Sequence, residues 1–270
     1  MKYLQLTTWK LILTIFALLL FFSGCQSHSQ KSKSTDTTTV STAEMTTVEA
    51  STQQKEDTVS TTQSKEDTAM NYPSGSLIEA VSANNLDQTN DILSSSNYPI
   101  DEVNEKSETP LLIAVHNNQV AIAKALIDSG ADINKQDGIQ DSPYLYAGAE
   151  GRTEILAYML AHATPNQSIT NRFGGNALIP AAEKGHLENV KILLADKRAA
   201  INHQNNYGYT ALIEAVALRD GSQVYQDIVA ELLRNGADPT LVDNYGKSAL
   251  DYANQLGYGN MARMLQEAIK

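Results

Sequence analysis

Thr210-Ala211-Leu212-Ile213-Glu214-Ala215 decides the reading of this chain, because its pattern occurs five times. The copies are Thr109-Pro110-Leu111-Leu112-Ile113-Ala114, Ser142-Pro143-Tyr144-Leu145-Tyr146-Ala147, Asn176-Ala177-Leu178-Ile179-Pro180-Ala181 and Ser248-Ala249-Leu250-Asp251-Tyr252-Ala253. Their first residues lie 33, 34, 34 and 38 positions apart. Self-similarity at that interval denotes stacked helical pairs, each too small to bury its apolar face alone. The expected fold class is all-α, a solenoid whose surface is made for binding.

Each place in the pattern has a physical task. Thr109, Ser142, Asn176, Thr210 and Ser248 carry oxygens that accept from an orphan N–H at a helix start. Pro110 and Pro143 follow where a missing N–H is harmless, and Ala177, Ala211 and Ala249 put a good helix former in the same place. The alanines at 114, 147, 181, 215 and 253 are small enough for a neighbouring helix to approach. Gly151, Gly185 and Gly257, with Asn118 as substitute, suit a left-handed helix end. A second apolar run follows at helical spacing: Ile122-Ala123 with Leu126-Ile127, Ile155-Leu156 with Met159-Leu160, Val190 with Leu193-Leu194, and Ile228-Val229 with Leu232-Leu233.

These residues resemble the ankyrin-repeat family over about residues 74–270, and Ala177 to His186 is similar to a bacterial subset of it. The resemblance implies helix-turn-helix units with β-hairpin fingers. It divides the chain into an N-terminal cap at 74–103, repeats at about 104–136, 137–170, 171–204 and 205–242, and a C-terminal cap at 243–270. The chain departs from the family in three places. It lacks the histidine usual after the first leucine. It carries an insertion around Arg219–Asp227. Its Gly-Ala-Asp turn is degraded to Ala163-Thr164-Pro165 and to Lys197-Arg198-Ala199-Ala200.

The N-terminal quarter has another character. Lys2 and Lys10 precede Leu11–Phe22, which is apolar except for Thr14 and too short to span a bilayer comfortably. This predicts a signal peptide over residues 1–24. Ser23-Gly24-Cys25 looks like the lipobox of bacterial lipoproteins, with Phe22 where leucine is usual. The resemblance implies lipidation of Cys25, with palmitate among the acyl chains. It implies localisation at the extracytoplasmic face of the bacterial cell membrane, exposed in or through the cell wall if the cell is Gram-positive. Two acyl chains suffice for stable attachment where one is marginal. Residues 25–72 are expected to be a disordered linker: serine and threonine fill 20 of the 47 positions from 26 to 72, which leaves too few apolar groups to repay ordering. As a coil such a segment spans roughly 40 Å.

Little in the chain suggests catalysis. Cys25 is the only cysteine, so no internal disulfide forms. His28, His116, His162, His186 and His203 show no zinc-ligand spacing, and no phosphate-cradling loop or nucleophile elbow occurs. The expectation is no enzyme, no cofactor and no metal. Residues 73–270 hold 14 basic and 24 acidic residues, a balance of −10 that argues against nucleic acid as a partner.

In the family, finger tips and the inner face of each first helix line a concave surface. Carried over, the third finger position holds Lys106, Ile139, Phe173, Tyr207 and Tyr245. Phe173, Tyr207 and Tyr245 are the expected anchors for a protein partner, aided by Arg172, Tyr209 and Lys247. Glu183, Lys184 and Leu218 are candidates on the inner helix face. The function expected is non-catalytic binding of a protein by a membrane-tethered, monomeric chain. The alternative is an accessory or immunity protein that stabilises or neutralises an envelope enzyme or toxin, and an enzyme with a cryptic site is a remote third.

Overall fold

The computed structural model describes residues 72–270, so the expected signal peptide, Cys25 and all but the end of the linker lie outside the described residues. Those described residues form paired helices: α1 (Ser76–Ser82) with α2 (Leu86–Leu93), α3 (Pro110–His116) with α4 (Val120–Asp128), α5 (Pro143–Ala149) with α6 (Thr153–His162), α7 (Leu178–Glu183) with α8 (Leu187–Asp196), α9 (Ala211–Ala217) with α10 (Gln223–Arg234), and α11 (Ala249–Leu256) with α12 (Gly259–Ala268). The first helices of successive pairs stack in one row and the second helices in another. No helix among the described residues is long and apolar enough to cross a membrane.

The capping oxygens start the first helices. Thr109, Ser142, Thr210 and Ser248 are extended residues whose hydroxyls accept from the N–H groups of Leu112, Leu145, Ile213 and Asp251. Asn176 Oδ1 accepts from both Leu178 and Ile179. The helix ends follow as expected: Asn118, Gly151, Gly185 and Gly257 all have positive φ. At the N-terminal cap no side chain of Gly75 serves. Instead the Glu102 carboxylate returns from 27 residues on and accepts from the N–H groups of Gly75, Leu77 and Ile78 at 2.6, 3.1 and 3.1 Å.

The core runs continuously along the stack. Ala114, Ala147, Ala181, Ala215 and Ala253 are fully buried between first helices, and Ile122, Leu126, Ile155, Leu156, Met159, Val190, Leu193, Ile228, Val229 and Leu232 fill the space beneath them. Between first helices the fit is close at Gly148: a Cβ there would lie 2.9 Å from the Cβ of Ala177. Asn189, fully buried, donates from Nδ2 to the carbonyls of Ala147 and Gly148 and accepts at Oδ1 from the Thr153 hydroxyl. It ties α8 to the preceding pair through carbonyls that α5 itself leaves orphaned.

Two local features refine the expectation. The insertion around Arg219–Asp227 lies only partly in a loop. Only residues 218–222 lie outside helices, and Gln223 to Asp227 fall within α10, which begins at Gln223 and is braced by the Gln223–Asp227 side-chain bond at 2.8 Å. Amphipathic spacing made helix the cheaper way to absorb part of the extra residues. The fingers are five-residue loops, and a single isolated bridge, Val242 with Ser248, is recorded among the described residues. Each finger is too short to run a ladder. The degraded turn after α8 keeps its shape because Lys197 adopts φ 58°, where Gly130 and Gly236 stand in other units. Arg198 beside it donates to the Leu160 carbonyl at 2.8 Å.

Candidate protein-binding face

Every finger is built on one acceptor. Oδ1 of Asn104, Asp137, Asn171, Asn205 and Asp243 accepts from the N–H groups two and four residues on. A backbone bond from the first to the fifth residue closes the loop, as from Asn205 N–H to the Tyr209 carbonyl at 3.0 Å. Neighbouring tips are also joined: Gly138 donates to Lys106, Asn206 to Phe173 and Asn244 to Tyr207 through the backbone at 2.9–3.1 Å. The third finger residue therefore rides on a fixed backbone, which lowers the ordering cost of binding through its side chain.

The third-position row is not uniform. Tyr207 is 44% exposed and Tyr245 76%, with Ile139 and Lys106 also exposed. Phe173 is only half-exposed and lies beneath Arg172, whose guanidinium carbon is 5.0 Å from its ring while the head group pairs with Asp141 at 3.3 Å. Phe173 and Arg172 thus serve each other, and the anchor role read for Phe173 weakens on that account. Tyr207 contacts Tyr209 at 6.3 Å between centroids, and Tyr209 meets Tyr252 edge-on at the same distance. Lys247 Nζ lies 5.2 Å from the Tyr252 ring and bonds Gln255 at 2.7 Å. Tyr207, Tyr209, Tyr245 and Lys247 are brought together. Tyr252 joins them, although nothing in the sequence reading singled it out. Tyr252 stands at the Glu214 place of the next unit, which the period alone would have placed on the same wall.

The inner helix face is occupied by charge pairs that bridge neighbouring units. Lys184 pairs with Glu150, and Arg219 with Glu183. His116 approaches Glu108 at 3.4 Å and packs against Tyr146 at 4.1 Å. Burial, opposed by Glu108, lowers the His116 pKa. Glu183 and Lys184 are therefore committed within the stack, while Leu218 remains exposed at the end of α9. Glu214 is the unusual member of this face. It is 6% exposed, and its Oε1 accepts from Asn205 Nδ2 at 2.8 Å. Burial and the neighbouring Glu183 carboxylate push its pKa up to about 8, against the opposing pull of Arg219. Tyr252 is likewise pushed up by burial and by donating to Asp243 Oδ2 at 2.5 Å.

A repeated pair of helices, a continuous core and a row of rigid fingers define a repeat-built interaction scaffold. Comparison with known proteins agrees. The family model for ankyrin repeats (3 copies) matches residues 77–169 and 145–243, and the chain belongs to the ankyrin-repeat family. It is 41% identical over 166 residues to the ankyrin repeat protein YahD of Escherichia coli (strain K12), covering 62% of this chain and 82% of that one. Among solved structures, the ankyrin repeat protein EF0377 is 59% identical, with a TM-score of 0.72 over 73% of this chain and 99% of that one. An ankyrin repeat domain from Acinetobacter baumannii AYE is 43% identical, with a TM-score of 0.69 over 73% of this chain and 98% of that one. Ankyrin repeats are in general non-catalytic modules of protein–protein interaction, and membership suggests a protein partner for this chain.

Proposed function

We propose that this chain binds a protein partner without catalysis, through the finger tips and groove wall of its last two repeat units, while a lipid on Cys25 holds it at the extracytoplasmic face of a bacterial cell membrane. The observation that carries the binding reading is the exposure of Tyr207 and Tyr245 on neighbouring, cross-bonded fingers. Aromatic side chains on a fixed backbone bury much area with few rotors, as interface anchors do. The anchor reading is supported by Ser23-Gly24-Cys25 after the apolar run, and by the Ser/Thr-rich residues that follow.

A photo-crosslinking amino acid at position 245, used in intact cells, tests the face. One discrete protein adduct is expected, weakened at least tenfold by Tyr207→Ala while the melting temperature changes little. Absence of any adduct at 245, with adducts from positions on α10 instead, rejects the fingertip reading. For the anchor, Cys25→Ala is expected to release the protein into the medium or leave the signal uncleaved. Normal processing with unchanged membrane attachment rules it out.

A further inference from the structure

The charges along the fingers and first helices are answered in two ways. Toward the N-terminus Asp141 faces Arg172, Glu150 Lys184 and Glu183 Arg219, and Glu108 lies against the His116 imidazole, while Asp137 is held by backbone N–H groups alone. In the last two units three carboxylates, of which Asp243 is buried, are held by neutral donors. Asp243 takes the Tyr252 hydroxyl and two backbone N–H groups, Asp251 takes Ser248, and Asp220 takes the Ser222 N–H. Hydrogen bonds from Ser248 and Ser222 hold the Asp251 and Asp220 carboxyls below the usual carboxylate range, so both stay ionised. Lys247 and Arg219 offset part of this charge. The open tyrosines stand at the same end, and one of their ring neighbours already takes a cation: Lys247 sits over Tyr252.

We infer that this end of the groove takes a lysine- or arginine-bearing segment of a partner protein, with cationic head groups over the rings of Tyr207 and Tyr245. The inference rests on the fingertip reading above and adds the chemistry of the occupant. An aromatic face attracts a cation through its quadrupole. A surplus of ionised carboxylates with neutral partners raises the local concentration of basic segments and repels acidic ones. The surplus of 24 acidic over 14 basic residues in 73–270 acts in the same direction at longer range.

The probe is a fluorescein-labelled peptide of alternating arginine and serine, compared with its glutamate counterpart by anisotropy on the full-length chain in neutral detergent. The arginine peptide is expected to bind and the glutamate peptide not. Tyr245→Leu with Tyr207→Leu should weaken binding about tenfold, and Tyr245→Phe should retain it because the ring remains. Neutralising carboxylates on the opposite helices, Glu188→Gln with Asp227→Asn, should change affinity less than twofold. Binding that ignores the tyrosines, or falls as much with the remote carboxylates, reduces the effect to overall charge and overturns the inference. Failure of the arginine peptide to bind also overturns it. A protein adduct at position 245 in cells, alongside a failed peptide arm, leaves the fingertip reading standing with a partner of other chemistry.

Discussion

Replacing Glu214 with glutamine should make the protein more stable at neutral and alkaline pH and leave it unchanged in acid. The side chain is almost wholly buried, takes one hydrogen bond from Asn205, and faces Glu183 and Arg219, which are already paired with each other. Its carboxyl titrates at about 8 in the fold against 4.5 as an ordinary glutamate. The folded state therefore binds the proton more tightly than the unfolded chain. Protonation favours the fold fully below pH 4.5, and that contribution is lost as pH rises to about 8. At about 1.4 kcal/mol per pH unit, the loss is about 3 kcal/mol at pH 7 and about 5 kcal/mol above pH 8. Glutamine keeps the acceptor for Asn205 and cannot ionise, so it escapes the loss. Urea and thermal unfolding followed by circular dichroism at pH 4, 7 and 8.5 would measure it. The variant and the parent should melt together at pH 4. At pH 7 the variant should melt about 6–12 °C higher, since 1 kcal/mol moves a domain of this size by about 2–4 °C. Equal stability at all three values, or a variant less stable at pH 8.5, would refute the account of Glu214 as a buried neutral acid.

Substitutions at four further positions probe the scaffold. Asn189→Leu should cost about 2–4 kcal/mol by thermal unfolding, because the Ala147 and Gly148 carbonyls and the Thr153 hydroxyl lose a buried partner; Asn189→Asp should be at least as damaging. Gly148→Val should cost about 1–3 kcal/mol or more by overpacking against Ala177, whereas Gly257→Ala meets no neighbour and costs only the left-handed backbone strain of about 1 kcal/mol. Lys197→Gly should raise stability by up to about 1 kcal/mol in the same assay, because glycine relieves the positive φ that the turn requires.

The sequence by itself determined the fold class, the helix starts and the helix ends. These are local properties: a capping oxygen at residues 109, 142, 176, 210 and 248, a small residue five places on, and a left-handed position at 118, 151, 185 and 257 act within one turn of chain. Repetition then made the stacking legible, since equal places in successive units must lie side by side. The character of each place in the stack was decided by tertiary structure. Phe173 and Tyr245 hold the same place, yet one is covered by the neighbouring Arg172, itself drawn toward Asp141 from the unit before, and the other stands open. Glu183 and Lys184 look free along the chain and are taken by Arg219 and Glu150, 36 and 34 residues away. Glu214 is charged, and the fold buries it against the finger that carries Tyr207. In each case exposure and charge are set by side chains one repeat distant. Periodicity says which places meet, but the identity and size of the neighbour decide which of them remain available to a partner.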